Sequence, residues 1–212
     1  MADIDFSALL CSRLCHDLVS PIGALSNGIE ILTDETDADM QEQVMDLLQK
    51  SAQQTTNKLQ FFRLAFGAGG GFSSQLDMRE AEKALFAYFD GSRVNLAWKV
   101  EAPHASKQLV KLLLNSAMVA GESMIRGGDL IVELADDGEA RYRLSIVARA
   151  TRFLMADSIR DALTGKADEE SLDPRTAPAY LAGQVARELN GCITVEPGQE
   201  GEVFVRAELD KK

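Results

Sequence analysis

Apolar residues recur at alternating steps of four and three along two long stretches near the start of the chain. Over roughly residues 5–32 they are Cys11, Cys15, Leu18, Ile22, Leu25, Ile29 and Leu32. Over roughly 38–66 they are Met45, Leu48, Ala52, Thr55, Leu59, Phe62 and Phe66. A mean step of about 3.5 gathers each set into one stripe of a helix, where cysteine serves as a small hydrophobe. Thr33-Asp34-Glu35-Thr36-Asp37 lies between them and supplies turn and N-cap residues, so the spacing predicts an antiparallel helical hairpin. One hairpin cannot bury both stripes and their apolar flanks. Two hairpins pairing in a homodimer, as a four-helix bundle, can do so. The alternative is a hairpin that packs on the C-terminal half of its own chain.

Composition narrows the class. The chain has 212 residues, 46% hydrophobic and 26% charged, which suits one medium globular domain or two small ones. No apolar run approaches the roughly 18 residues needed to span a bilayer. The start, M-A-D-I-D-F-S, is acidic and lacks the basic segment of a signal peptide, so a cytoplasmic protein is expected. Three cysteines fit a reduced compartment with no disulfide framework. A formal charge of −11 argues against nucleic acid and anionic membranes as partners, but not against proteins.

One motif inside the first helix carries chemistry. Residues 16–21 read H-D-L-V-S-P. His16 is one of two histidines and is followed at once by Asp17. Pro21 has no N–H to give to the carbonyl of residue 17, so the helix should bend or loosen beside His16. His16 sits about 100° around the helix from Cys15, which turns it away from the seam and toward solvent. An exposed imidazole is a nucleophile that is largely neutral near pH 7, and Asp17 can orient it or take its proton. The small residues Ser20, Gly23, Ala24 and Asn27 follow on neighbouring turns, leaving room for a partner helix; with Arg13 they are the candidate partner-binding residues. Their plainer reading is ordinary helix surface, and that of His16 alone is a surface histidine that happens to precede a proline.

Cys11-x-x-x-Cys15-His16 also invites a metal or haem reading. The spacer is one residue longer than in C-x-x-C-H, and Cys192 and His104 are isolated in sequence, so no metal or cofactor is expected on this chain. His104, in Ala102-Pro103-His104-Ala105, reads as structural or neutral.

Gly67-Ala68-Gly69-Gly70-Gly71 breaks the composition. It lacks the following Lys-Ser or Lys-Thr of a phosphate loop and reads as a flexible linker, dividing the chain into 1–68 and 69–212. Beyond it, helical patterns at 77–90, 105–125, 153–163 and 176–190 alternate with strand patterns at 94–100, 130–134, 142–148, 192–196 and 202–209. The order predicts an antiparallel or mixed sheet with helices on one face.

H-D-L-V-S-P resembles the phospho-accepting box of two-component histidine kinases, H-[DE]-x-x-x-P. The second half resembles their ATP-binding domain. Leu112-Leu113-Leu114-Asn115-Ser116-Ala117 is similar to the start of the N box, whose asparagine helps hold magnesium. Asn190-Gly191-Cys192-Ile193-Thr194-Val195 and Gly201-Glu202-Val203-Phe204 are similar to its closing strands. Two nucleotide boxes are replaced. Arg149-Ala150-Thr151-Arg152-Phe153 stands where Asp-x-Gly-x-Gly belongs, and Arg175-Thr176-Ala177-Pro178-Ala179-Tyr180 where a glycine-rich lid belongs. Without those glycines the backbone cannot approach a triphosphate closely.

This combination, over nearly the whole chain, resembles the dimeric histidine phosphotransferases of alphaproteobacterial relays, the ChpT type. The resemblance implies an α+β protein with an N-terminal hairpin bundle and a degenerate kinase-like α/β domain. It implies that His16 receives a phosphoryl group from the receiver domain of a hybrid histidine kinase (CckA-like). His16 would then pass it to response regulators (CtrA-like and CpdR-like), with Mg²⁺ held by the receiver and not by this chain. Two other classes stay open: a histidine kinase with a divergent ATP site, and a non-catalytic dimeric adaptor that binds receivers.

Overall fold

Two long helices, α1 (Asp3–Asp34) and α2 (Ala38–Ala65), form the expected hairpin in the computed structural model, which describes residues 3–67, 75–137 and 141–211. Asp37 caps α2, its carboxylate accepting from the backbone N–H of Asp39 and Met40 at 2.9 and 3.3 Å. Pro21 stands inside α1, which continues through it.

The seam that closes the hairpin is not quite the one the apolar pattern predicts. On α1 the buried or half-buried run is Leu14, Leu18, Pro21, Leu25, Gly28 and Leu32. On α2 it is Val44, Leu48, Ser51, Thr55, Lys58 and Phe62. Both runs keep the four-three alternation. Leu18, Leu25, Leu32, Leu48, Thr55 and Phe62 belong to them, as expected. Cys11, Cys15, Ile22 and Ile29, and likewise Met45, Ala52 and Leu59, are exposed instead. The physical reason is close approach. A Cβ at Gly28 would lie 2.7 Å from Leu48 Cδ2, so glycine lets the helices touch where a large apolar residue was expected. The predicted stripe thus merges two: one closed within the hairpin, and a neighbouring apolar one left open to solvent.

The second half holds a five-stranded mixed sheet. Its strands are β2 (Val94–Val100), β4 (Gly128–Asp136), β5 (Arg141–Arg149), β6 (Ile193–Pro197) and β7 (Glu202–Asp210), in the order β2-β4-β5-β7-β6. β2 runs parallel to β4 and the other neighbours are antiparallel. Two three-residue strands, β1 (Gln75–Asp77) and β3 (His104–Ser106), form a separate antiparallel pair that the sequence pattern does not reveal, being too short to alternate. Ser106 then caps α4 (Lys107–Glu122), accepting from Leu109 N–H, so this helix starts two residues later than its pattern suggests. The helix expected from residue 153 begins at Asp157 as α5 (Asp157–Thr164), because Phe153 is held in a bridge to Met124. α3 (Met78–Phe89) and α6 (Ala177–Glu188) complete the set.

Leu130, Val132, Leu134, Leu144 and Ile146 lie on strands that meet α4, which is buried from Leu112 to Gly121, and Val205 and Leu209 are buried in the same core. The same core takes in Phe61, Phe62, Leu64 and Ala65 at the end of α2. Phe61 lies 4.2 Å from the Tyr88 ring, centroid to centroid. The apolar core therefore runs across the boundary drawn at residue 68. All but Gly67 of the glycine run lies outside the described residues, as do residues 138–140. No helix among the described residues is long and apolar enough to cross a membrane.

Candidate functional site

Pro21 leaves the carbonyl of Asp17 without its helical N–H donor, and α2 supplies a replacement. Lys58 sits on the closed seam, and its Nζ donates to Asp17 O at 2.9 Å. A lysine at an apolar seam position is the sequence signal for this contact, which pattern reading passed over. The substitution lets α1 stay helical through its proline and fixes the turn that carries His16. An orphaned buried carbonyl there would cost on the order of 1–3 kcal/mol.

His16 points outward, with its side chain 73% exposed, while its neighbour Asp17 is 11% exposed. Asp17 Oδ1 lies 3.1 Å from His16 Nδ1. An ionised carboxylate can only accept, so a hydrogen bond at this contact requires the proton on Nδ1, and in the neutral ring that leaves the Nε2 lone pair for a nucleophilic role. Asp17 Oδ2 in turn accepts from Arg13 Nε at 3.1 Å.

Arg13 was expected to face a partner. It is 8% exposed and faces into the molecule, where its second contact is Glu122 Oε1 at 2.5 Å. The correction follows from the helix ends: α4 finishes at Glu122 with no basic residue in its last turn, and Arg13 supplies a cation to that negative pole. Burial alone would push the guanidinium's pKa down, but Glu122 and Asp17 outweigh it and raise the value above its ordinary level. Tyr88 of α3 donates to the same Glu122 oxygen at 2.6 Å, and burial and that carboxylate raise its own pKa well above the usual phenol value. Glu122 and Tyr88 carried no signal in sequence, since they lie more than sixty residues from the motif they support.

The remaining expected residues spread along one face of α1. Ser20 and Asn27 are exposed; Gly23 and Ala24 are half-buried. The space beside Gly23 is open: a Cβ built there meets nothing within 4 Å. Val19, 69% exposed, adds an apolar contact next to this face. On the other side of His16 a cleft of about 540 Å³ separates α1 from the α/β half, with Leu154, Ile159 and Arg175 on its far wall. His16 thus stands on the lip of a cleft that a second protein could enter.

Residues in two of the segments compared with kinase nucleotide boxes make internal hydrogen bonds. Asn115 is fully buried, and its Nδ2 donates to the carbonyls of Ala65 and Lys111 at 2.9 and 2.8 Å, clamping α4 to the end of the hairpin. Where a glycine-rich lid would bring backbone N–H groups to phosphate, Asp173 Oδ1 already accepts from Arg175 and Thr176 N–H, both at 2.8 Å. His104 stands exposed in β3, paired in register with Asp77 and belonging to neither the cleft nor the α1 face.

Comparison with known proteins adds to this geometry. Residues 78–201 match the family of the histidine phosphotransferase C-terminal domain. The protein phosphotransferase ChpT of Brucella abortus (strain 2308) is 34% identical over 205 residues, covering 96% of both chains. A solved bacterial phosphotransferase is 32% identical and superposes with a TM-score of 0.85 over 98% of this chain and 97% of its own. The histidine kinase AdeS of Acinetobacter baumannii is more distant, 9% identical with a TM-score of 0.48. With more than half of its length in that family model, and a relative alike from end to end, the chain belongs to the histidine phosphotransferases.

Proposed function

We propose that His16 is the phospho-acceptor of a phosphorelay. It takes a phosphoryl group from the receiver-domain aspartate of a hybrid histidine kinase and passes it to the receivers of response regulators. The observation that carries this reading is the imidazole itself: 73% exposed, on the lip of a cleft, with Nδ1 occupied by Asp17 and Nε2 uncovered. Both directions of transfer need that arrangement.

In the forward step Nε2 attacks phosphorus in line, the N–P bond forms, and the acyl phosphate's P–O bond breaks. The receiver's carboxylate leaves with the electron pair. The ring gains positive charge, which the Asp17 carboxylate offsets through the Nδ1–H bond. The second step reverses these changes on another receiver. Positioning and charge compensation supply the acceleration in loose phosphoryl-transfer transition states. Mg²⁺ and the phosphorylated aspartate belong to the receiver; this chain contributes the nucleophile and its orientation. CckA-like, CtrA-like and CpdR-like proteins are the receivers expected from the ChpT resemblance.

The working unit is a homodimer built on the hairpins. Ile22 and Ile29 of α1, and Met45 and Leu59 of α2, stay between 46% and 61% exposed in the single chain. Seven-residue spacing on each helix aligns them as a second seam, which a four-helix bundle would cover. His16 lies off that seam, and Ser20, Gly23, Ala24 and Asn27 extend from it as the docking face.

Mixing the protein with a receiver labelled on its aspartyl phosphate tests the reading. Wild type should take up label within the mixing time, while His16→Ala, folded and dimeric, should take up none. Uptake by His16→Ala assigns the chemistry to another group. No uptake by wild type from any phosphorylated receiver leaves the adaptor reading in its place.

A further inference from the structure

The acceptor imidazole is wired to the α/β half of the molecule. From His16 the contacts run through Asp17 and Arg13 to Glu122, at the end of α4, and to Tyr88 on α3. His16, Asp17 and Arg13 are on α1; Glu122 and Tyr88 come from chain segments of the α/β half. We infer that Glu122 and Tyr88 are positioning residues for phosphoryl transfer, which act on His16 through Arg13 and Asp17. The inference rests on His16 being the acceptor.

The geometry gives each member a task. Asp17 has two oxygens, and they are divided: Oδ1 for His16, Oδ2 for Arg13. That division holds the carboxylate plane and aims Oδ1 at Nδ1. Arg13 itself has a flexible stem, and a salt bridge to Asp17 within one helix is a weak constraint. Its 2.5 Å contact with Glu122 and near-complete burial fix it from the other side. Tyr88 OH, on the same Glu122 oxygen, fixes that carboxylate in turn. The outcome at the reacting atom is one tautomer, with the proton on Nδ1 and the lone pair on Nε2. The α/β half would then serve the reaction by holding the nucleophile's support.

The two histidines make the test direct. Imidazole nitrogen NMR of the full-length protein reads the tautomer of each, with His104 as the internal reference. Wild type should hold His16 with its proton on Nδ1. In Glu122→Gln the Nε2–H form should rise at least threefold, and in Tyr88→Phe by less, while His104 stays unchanged. Saturating transfer from a phosphorylated receiver should slow by roughly tenfold in Glu122→Gln, with the half-saturating receiver concentration unchanged. An unchanged His16 tautomer in both folded variants overturns the inference. So does a change confined to half-saturation, which makes Glu122 a docking residue. If Glu122→Gln fails to fold, Tyr88→Phe carries the same two readouts. A wild type that accepts no label refutes the acceptor role, and the tautomer measurement still decides the wiring.

Discussion

The two halves of the molecule treat their apolar surface differently. The hairpin, with well under half the residues, holds nine of the twelve large apolar side chains that stand exposed among the described residues: Ile4, Val19, Ile22, Ile29, Ile31, Met40, Met45, Leu47 and Leu59. The α/β half exposes only Phe86, Ile125 and Leu154, while its α4 is buried on nearly every side. One half has closed its core on itself. The other has closed one seam and left another, and its base borrows the neighbour's core through Phe61 and Phe62. Stability resides in the closed core, which the single chain completes, and association would reside in the open seam, the surface that the proposed homodimer would cover.

Substitutions sharpen that contrast in order of size. Ile29→Glu places a charge on the open seam. In a buried dimer interface it should cost about 3–5 kcal/mol and halve the mass seen by light scattering to that of one 23.1 kDa chain. In a monomer it would do almost nothing, so an unchanged mass breaks the comparison. Leu113→Ala, in the closed core, should cost about 2–5 kcal/mol by denaturant unfolding. Its effect should show in the intrinsic stability of each chain, with the mass unaffected. Lys58→Met removes the donor to the Asp17 carbonyl, and should lower stability by about 1–3 kcal/mol while also slowing label uptake by His16. Asp37→Ala, which uncaps α2 at the far tip of the hairpin, should cost about 1 kcal/mol and leave uptake unchanged.

Much of this was legible in the sequence, and the parts that were not share a cause. Helix pattern, hairpin, strands and the H-D-L-V-S-P motif depend on neighbours within a few turns, where periodicity carries information. The assignment of each apolar residue to its seam does not, because Pro21 and Gly28 close the hairpin without being large or apolar, while Ile22 and Ile29 beside them face out. The support of His16 was hidden further still. Arg13 reads as a surface cation until α4 ends beside it, and Glu122 and Tyr88 meet it only through the tertiary fold. Asn115 resembles an N-box asparagine within its own helix, and only the tertiary fold brings its Nδ2 to the carbonyl of Ala65.

The central claim is that His16 itself carries the phosphoryl group. Site mapping of the wild-type protein after exposure to a phosphorylated receiver tests it most directly. One phosphoryl group per chain is expected, stable in base and lost in acid as a phosphoramidate is, on the peptide that contains Cys15-His16-Asp17. Label on a peptide containing His104, or a base-labile acyl phosphate on an aspartate, would contradict it.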